Sequence, residues 1–282
     1  MLRQKIKLPI ELEPYRQKIE ATLKPYIKMK ERANNKPDLW QSKFDGLPYL
    51  PKKIDYPTNS KGEYLYLLAQ INFSEVPNLK NFPEAGILQF YILPNEYYGR
   101  DMQSPMTQED FRILYFPEIT YDSNEIITNF DFLPKLQLTT NIFPIKNSCS
   151  LEFSREIAPV SISDGKFIDR IGERKLYELL NNNRQLWTKY AQIADYGSKI
   201  GGYPGFGAEG DELLYYFLGE SFENDKFYED YKDSILLLQI DSINSKNICW
   251  KTSTGVGNFF IKQSTLKKLD FSEVFYTWDC SD

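Results

Sequence analysis

Three blocks of sequence occur twice in this chain of 282 residues, and in the same order both times. The pairs are Ser42–Pro48 with Ser198–Pro204, Leu67–Asn72 with Leu236–Asp241, and Gly86–Ile92 with Gly255–Ile261. The second and third blocks recur at one common offset, in unbroken register, and the first recurs at a slightly shorter one. A period this long is too long for a solenoid and predicts two half-domains that share one core. We therefore expect a single domain over 1–282, built from repeats at about 35–150 and 190–282.

The segments between these blocks predict an α+β fold of mostly antiparallel strands with flanking helices. Short runs rich in Ile, Leu, Phe and Tyr, bounded by Pro, Gly, Asn and Asp, are typical of strands. Such runs lie at 65–73, 86–93, 111–116, 234–240 and 257–262. Apolar residues at helical spacing predict helices near 11–33 and 166–194. Pro25 should kink or split the first helix, and Asn181–Asn183 should break the second.

Composition excludes several classes of function. The chain contains no histidine, which removes Ser-His-Asp and Cys-His catalysis and any His-ligated metal. A net charge of −5 argues against neutralising the phosphates of nucleic acid. The three cysteines are widely spaced and form no C-x-x-C pair, which predicts free thiols in the cytoplasm. No run of 18 apolar residues and no apolar leader segment is present, so we expect no membrane association.

The repeated strands supply four candidate ligand-binding residues. Alternation along a strand puts Gln70 and Asn72 on one face of the first copy, and Gln239 and Asp241 on one face of the second. Two interpretations are open. In one, these side chains bind backbone groups where loops begin, because a buried amide must be hydrogen-bonded. In the other, the two pairs surround a shared cleft on a pseudo-twofold axis.

A glycine-rich loop at 201–210 supplies the remaining candidates, Tyr203, Phe206 and Glu209. Five glycines in ten residues allow a backbone to approach a ligand closely. The loop fits neither the phosphate-binding P-loop nor the dinucleotide fingerprint. It is either a tight crossover beneath aromatic packing or a binding loop that displays Tyr203 and Phe206. The acidic tract 209–233, which contains an insertion in the second copy, fits no metal-ligand template and is expected to be solvated.

The repeated blocks, together with the terminal L-x-x-L-D-F-S…D-C pattern, resemble the YwqG-like family of bacterial domains of unknown function. The likeness runs from about Trp40 to Cys280. It implies a cytosolic protein of duplicated α+β build, and it carries no catalytic residues. One departure is visible: Ala208 and Glu209 stand where the family pattern places a Gln after G-G-Y-P.

These observations favour a non-catalytic binding protein, with no cofactor, that engages a protein partner or a small-molecule ligand. The alternative is an enzyme, possibly a hydrolase, that uses carboxylates and amides in a cleft between the two repeats. An enzyme would place acids with perturbed pKa values where the repeats meet. The sequence identifies no catalytic residue, and it leaves the ligand and the oligomeric state open.

Overall fold

The computed structural model describes residues 6–32, 36–101, 104–135, 142–164, 166–194, 197–206, 234–251 and 254–281. Its ten strands form one antiparallel sheet. The strands are β1 (Lys24–Arg32), β2 (Lys43–Phe44), β3 (Tyr66–Asn72), β4 (Ile87–Ile92), β5 (Phe111–Phe116), β6 (Cys149–Ala158), β7 (Lys199–Gly201), β8 (Ser234–Asp241), β9 (Thr254–Lys262) and β10 (Val274–Ser281). The prediction of mostly antiparallel strands is confirmed, and the helices among the described residues are short.

The strand order is β10-β9-β8-β7-β1-β6-β2-β3-β4-β5. We call β1–β5 the first half and β6–β10 the second half. The two central strands, β1 and β6, pair with each other from Lys24 opposite Ala158 to Arg32 opposite Ser150. Each of them also pairs with the second strand of the other half, β1 with β7 and β6 with β2. The halves are therefore interleaved at the centre of the sheet.

The sheet curves until its two edge strands approach one another. The rings of Phe111 on β5 and Tyr276 on β10 lie 5.5 Å apart, and Phe90 and Phe259 lie 4.9 Å apart inside the curve. Gln108 Nε2 donates to the Phe271 carbonyl at 2.7 Å, which ties the region before β5 to the region before β10. The enclosed space is filled by the main core, which includes Ile27, Phe44, Ile71, Trp250 and Phe259.

Helices build a second, smaller core. They are a 3-10 helix at Ile10–Tyr15, α1 (Arg16–Ala21), α2 (Phe167–Ile171), α3 (Arg174–Asn181) and α4 (Arg184–Ala194); a short 3-10 turn at Phe73–Glu75 and α5 (Gln263–Leu266) lie elsewhere. This helical core packs residues such as Leu12, Ile19, Phe167 and Tyr190 together. The helices within the described residues are all too short or too polar to cross a membrane.

The expected helix at 11–33 is wrong in its second part. Helix α1 ends at Ala21, and the chain from Lys24 onward is strand β1. Pro25 cannot donate a helical hydrogen bond, and the buried residues Ile27 and Met29 alternate with exposed Lys28 and Lys30. The region 166–194 is helical as expected, although it forms three helices. The break at Asn181–Asn183 is present, and a further break follows Gly172, which takes a left-handed conformation with φ of +63°.

Candidate functional site

Gln70 on β3 is fully buried and binds the loop at 38–51. Its Oε1 accepts a hydrogen bond from the Tyr49 N–H at 2.9 Å. Its Nε2 donates to the carbonyls of Leu39 at 2.9 Å and Gln41 at 2.8 Å. Gln89 on β4 extends the network, donating from Nε2 to the Tyr49 carbonyl at 2.6 Å and to Gln70 Oε1 at 2.7 Å. The two glutamines fix the loop to the face of the sheet opposite the main core.

Gln239 on β8 does the same for the loop at 197–206. Its Oε1 accepts from the Gly205 N–H at 2.7 Å, and its Nε2 donates to the Gly197 carbonyl at 3.0 Å. Asn258 on β9 donates to the Gly205 carbonyl at 2.9 Å. When Ser42–Pro48 is aligned with Ser198–Pro204, Gly205 falls on Tyr49 and Gly197 on Gln41. The two halves thus use the same hydrogen bonds at matching positions.

Asn72 and Asp241 end their strands in matching ways. The backbone N–H of Asn72 donates to Ser42 Oγ at 2.8 Å, and that of Asp241 donates to Ser198 Oγ at 3.0 Å. Each side chain then accepts from an N–H two residues later, that of Ser74 at 3.1 Å and that of Ile243 at 2.7 Å. Burial raises the pKa of Asp241. Both side chains therefore cap turns.

The hydrogen bonds show which groups the repeated polar residues contact. Gln70, Asn72, Gln239 and Asp241 all bind backbone groups of their own loops. Four strands lie between β3 and β8 in the sheet, so the structure forms two separate networks and does not bring the two pairs together around one cleft.

Two buried lysines were not singled out by the sequence. Lys43 Nζ donates to the carbonyls of Asp38 and of Leu47, the latter at 2.8 Å, and Lys199 Nζ lies 3.4 Å from the Ala194 carbonyl. Desolvation lowers the pKa of Lys43 to about 8. The sequence did contain a signal for these lysines, because a Ser-Lys pair begins both Ser42–Pro48 and Ser198–Pro204.

Tyr203 is a packed residue of the glycine-rich loop. Only 9% of it is exposed, it belongs to the helical core, and its hydroxyl donates to the Thr22 carbonyl at 2.8 Å. Lys24 Nζ lies 5.2 Å and the Arg170 guanidinium carbon 5.4 Å from the centre of its ring. Gly202 before it has φ of +76°, and a Cβ there would come within 2.8 Å of Tyr26 Cβ. This part of the loop therefore has the contacts of a tight crossover beneath aromatic packing.

Phe206 is half-buried at the end of the described part of this loop. Its ring stacks on Phe260 with centroids 6.3 Å apart and an interplanar angle of 16°. Glu209 and the acidic tract 209–233 lie outside the described residues.

A polar cluster lies where the halves meet, and sequence reasoning missed it. We call it the polar end; its members are Glu31, Asp45, Cys149, Ser245 and Asn247. Ser245 Oγ donates to Glu31 Oε1 at 2.6 Å, and Cys149 Sγ lies 4.0 Å from Glu31 Oε2 and 3.5 Å from Asn247 Nδ2. Burial, reinforced by Glu31, raises the pKa of the Cys149 thiol to about 11, so the thiol is protonated and a poor nucleophile.

Asp45 is the unusual member of the polar end. Its backbone has φ of +54°, which aspartate adopts rarely. Burial raises the pKa of its carboxyl group to about 6. The aligned position in the second copy is Gly201, with φ of +68°, where an added Cβ would lie 2.8 Å from Leu79 and 3.3 Å from Phe82. The second half thus takes the same backbone turn with glycine among apolar side chains, while the first half keeps a carboxylate.

The same contrast holds for Cys149. Strand register places Cys149 opposite Phe44, and the corresponding register places Ile27 opposite Ile200. The surroundings of Asp45 and Cys149 are therefore polar, whereas the aligned surroundings of Gly201 and Ile27 are apolar. Among the described residues, no group of three or more Cys, Asp or Glu side chains has the arrangement of a metal site.

A family model described as "Domain of unknown function (DUF1963)" matches residues 42–280. The chain belongs to this family. The DUF1963 match begins at Ser42, so it includes Gln70, Gln239 and most of the polar end, whereas the carbonyls of Leu39 and Gln41 that Gln70 binds precede it. Strand β1, with Lys24 and Glu31, precedes it. No curated protein matches the chain.

Proposed function

We propose that this DUF1963 protein is a non-catalytic binding protein whose recognition surface centres on the loop at 202–209. The observation that supports it is the use made of the repeated polar residues. Gln239 and Asn258 use their amide groups to hold Gly197 and Gly205 in place. A loop fixed by buried amides on a rigid sheet is preorganised, and loops of this kind commonly carry recognition.

The side chains offered by the loop fit recognition better than chemistry. Phe206 presents a half-buried ring stacked on Phe260, and Arg170 and Lys24 flank Tyr203. Aromatic and arginine side chains dominate the energetics of interfaces. Glu209 and Gly207 continue the same loop in the sequence and belong to the proposal. The partner is a protein or a small molecule, and the net charge of −5 argues against nucleic acid.

A photo-crosslinking residue at position 206 tests this function. In cells, the substituted chain should form an adduct, seen as a mass increase of the purified chain, for a protein or a small-molecule partner alike. The matched control places the same residue at Ser154, which is exposed on β6. Equal labelling at both positions, or none at 206, contradicts the proposal.

We also propose that the chain arose by duplication and is a YwqG-like member of its family, located in the cytoplasm. Matching hydrogen bonds at aligned positions of the repeated blocks support the duplication. So do the strand irregularities, which fall at Leu67/Ala69 in β3 and at the aligned Leu236/Leu238 in β8. The strand order reads the same from either end when β1–β5 are exchanged with β6–β10. None of the three cysteines forms a disulfide, which suits a reducing compartment.

A specific observation favours an enzyme as the second candidate. Asp45 combines an uncommon backbone conformation with a pKa raised to about 6, and both Asp45 and Glu31 act on the Cys149 thiol, while Ser245 Oγ donates to Glu31 from the other half. A carboxyl group with a pKa near neutrality can act as a general acid or base. A panel of hydrolase substrates should then show turnover that Asp45→Asn abolishes while the fold is kept. Turnover that survives this substitution, or its absence from the native chain, removes the candidate.

A further inference from the structure

Two cationic side chains converge on Tyr203 from different elements. Lys24 begins strand β1, and its Nζ donates to the Gly202 carbonyl at 3.2 Å while lying 5.2 Å from the centre of the Tyr203 ring. Arg170 is in α2, and its guanidinium carbon lies 5.4 Å from the same centre. Both cations therefore lie against one ring, and the charge of Arg170 contributes to lowering the pKa of Lys24.

Within the described part of the chain, the charges around this ring do not balance. Among the described residues, no carboxylate lies within ion-pair distance of Lys24. Arg170 Nε pairs with Asp164 Oδ2 at 3.1 Å, and Asp164 Oδ1 already accepts from the Lys166 N–H at 2.9 Å. One carboxylate thus faces two cations. The pKa of Lys24 is lowered first by burial and then by Arg170, which is the electrostatic cost of the arrangement.

We propose that Lys24 and Arg170 bind an oxyanion of the phosphate class beside Tyr203. The inference rests on the proposed function, since it names the ligand chemistry of the same loop. An anion there would offset the repulsion between the two cations and would use their remaining donors. The planar guanidinium fork and the ammonium group both match phosphate oxygens, and a doubly charged anion suits two cations better than a carboxylate does.

The two cations are held in place by the fold, which distinguishes them from mobile surface lysines. The stem of Lys24 is partly buried, and its head is anchored by Gly202, whose own position is fixed by contact with Tyr26. Arg170 is held by the buried Asp164. In the first copy, the position that aligns with Tyr203 is Leu47, which is 48% exposed. The first half therefore lacks the tyrosine around which the proposed site is built.

The test is a titration of the full chain with inorganic phosphate at constant ionic strength. Binding is monitored through the melting temperature and through the nuclear magnetic resonance shifts of Gly202 and Tyr203. We expect a saturable effect that acetate at equal charge does not reproduce. Lys24→Met and Arg170→Met keep the apolar stems and should each weaken phosphate binding at least 10-fold, since the loss of one charge-assisted contact is worth roughly that factor. Lys28→Met, on the exposed face of the same strand, should change nothing.

Three results would overturn the inference: no saturation, equal weakening by Lys28→Met, or acetate binding as tightly as phosphate. Met variants that fail to fold are replaced by Lys24→Gln and Arg170→Gln, judged by the same shifts. The crosslinking experiment at position 206 is independent of these outcomes. Crosslinking without phosphate binding would reject phosphate as the ligand class and still support the recognition surface. Phosphate binding without crosslinking would reject the partner surface at 206 and still support the anion site.

Discussion

Buried polar side chains in this protein act on the backbone of loops. Gln70 satisfies one N–H and two carbonyls that would otherwise be buried without partners. An unsatisfied buried polar group costs more than a made hydrogen bond contributes, so such a residue is costly to replace with an apolar one of the same size. This explains why glutamine stands in the middle of two very apolar strands.

Gln70→Leu should lower the free energy of unfolding by about 3 kcal/mol, because it leaves three backbone groups unpaired. The measurement is urea denaturation followed by circular dichroism. Gln263→Leu is the control, since Gln263 is exposed at the start of α5, and a change within about 0.5 kcal/mol is expected there. If Gln70→Leu also falls within that range, the network does not hold the loop.

Asp45 should make stability depend on pH. Its folded pKa of about 6 is raised above the ordinary value of 3.8, so the folded protein binds this proton more tightly than the unfolded chain does. The stabilisation from that proton is complete below pH 3.8 and is lost as the pH rises through 6. Above pH 6 the buried carboxylate destabilises the fold.

Asp45→Asn should therefore raise the free energy of unfolding at pH 7.5 by about 3 kcal/mol, because the pKa rises from 3.8 to about 6 and each pKa unit is worth about 1.36 kcal/mol, with less gain at pH 4. Asparagine tolerates the left-handed backbone, so no new strain is expected. Denaturation at the two pH values measures the difference. Asp55→Asn, at an exposed position, should show no gain. A gain equal at both pH values would mean that titration of Asp45 is not the cause.

At the scale of elements, strand β1 shows how tertiary pairing overrides local pattern. Ile19, Leu23 and Ile27 fall at helical spacing, but Ile27 belongs to a strand that pairs on both sides, with β6 and β7. The four-residue spacing also fits a strand, because positions an even number apart share a face. Pro25 was the signal that separated the two elements.

The helical core depends on Tyr203 as the link to the sheet. Tyr203→Phe removes the hydrogen bond to the Thr22 carbonyl and should cost about 1 kcal/mol of unfolding free energy. Tyr203→Ala removes a buried ring and should cost about 3–5 kcal/mol. Tyr97→Ala is the matched control, because Tyr97 is exposed, and should be nearly neutral. Melting temperatures and denaturation curves of the three variants rank their losses of stability. A neutral Tyr203→Ala would show that the ring is not part of the core.

At the scale of the whole molecule, interleaving of the central strands should make the two halves fold as one unit. Strand β1 is flanked only by strands of the second half, and β6 only by strands of the first. Each half alone would expose unpaired strand edges and the apolar rings that meet across the curve, such as Phe90 with Phe259.

Fragments 1–147 and 148–282, expressed separately, should remain unfolded, and their co-expression should restore a native complex. The cut falls after the exposed Asn147, in the segment that precedes β6. Dispersion of nuclear magnetic resonance signals and cooperative melting report on folding. A dispersed spectrum from either fragment alone would show that the halves are independent domains.

The sequence by itself predicted the elements whose pattern is local. The strands at 66–72, 87–92, 111–116 and 234–241 match its apolar runs closely, and the break at Asn181–Asn183 is where the asparagines stand. It also brought Gln70 and Gln239 to attention through their repetition, and one of its two interpretations, binding of loop backbone, is what their contacts show.

Only the tertiary structure decided which strands become neighbours and which polar groups meet. Strands β2 and β7 are too short to carry a pattern, and they exist because longer strands flank them. Glu31, Asp45 and Cys149 are brought to one end by pairing between β1, β2 and β6, and Lys24 meets Arg170 because α2 packs against the loop at Tyr203. Such encounters depend on contacts between residues far apart in the chain, and periodicity within a short window contains no information about them.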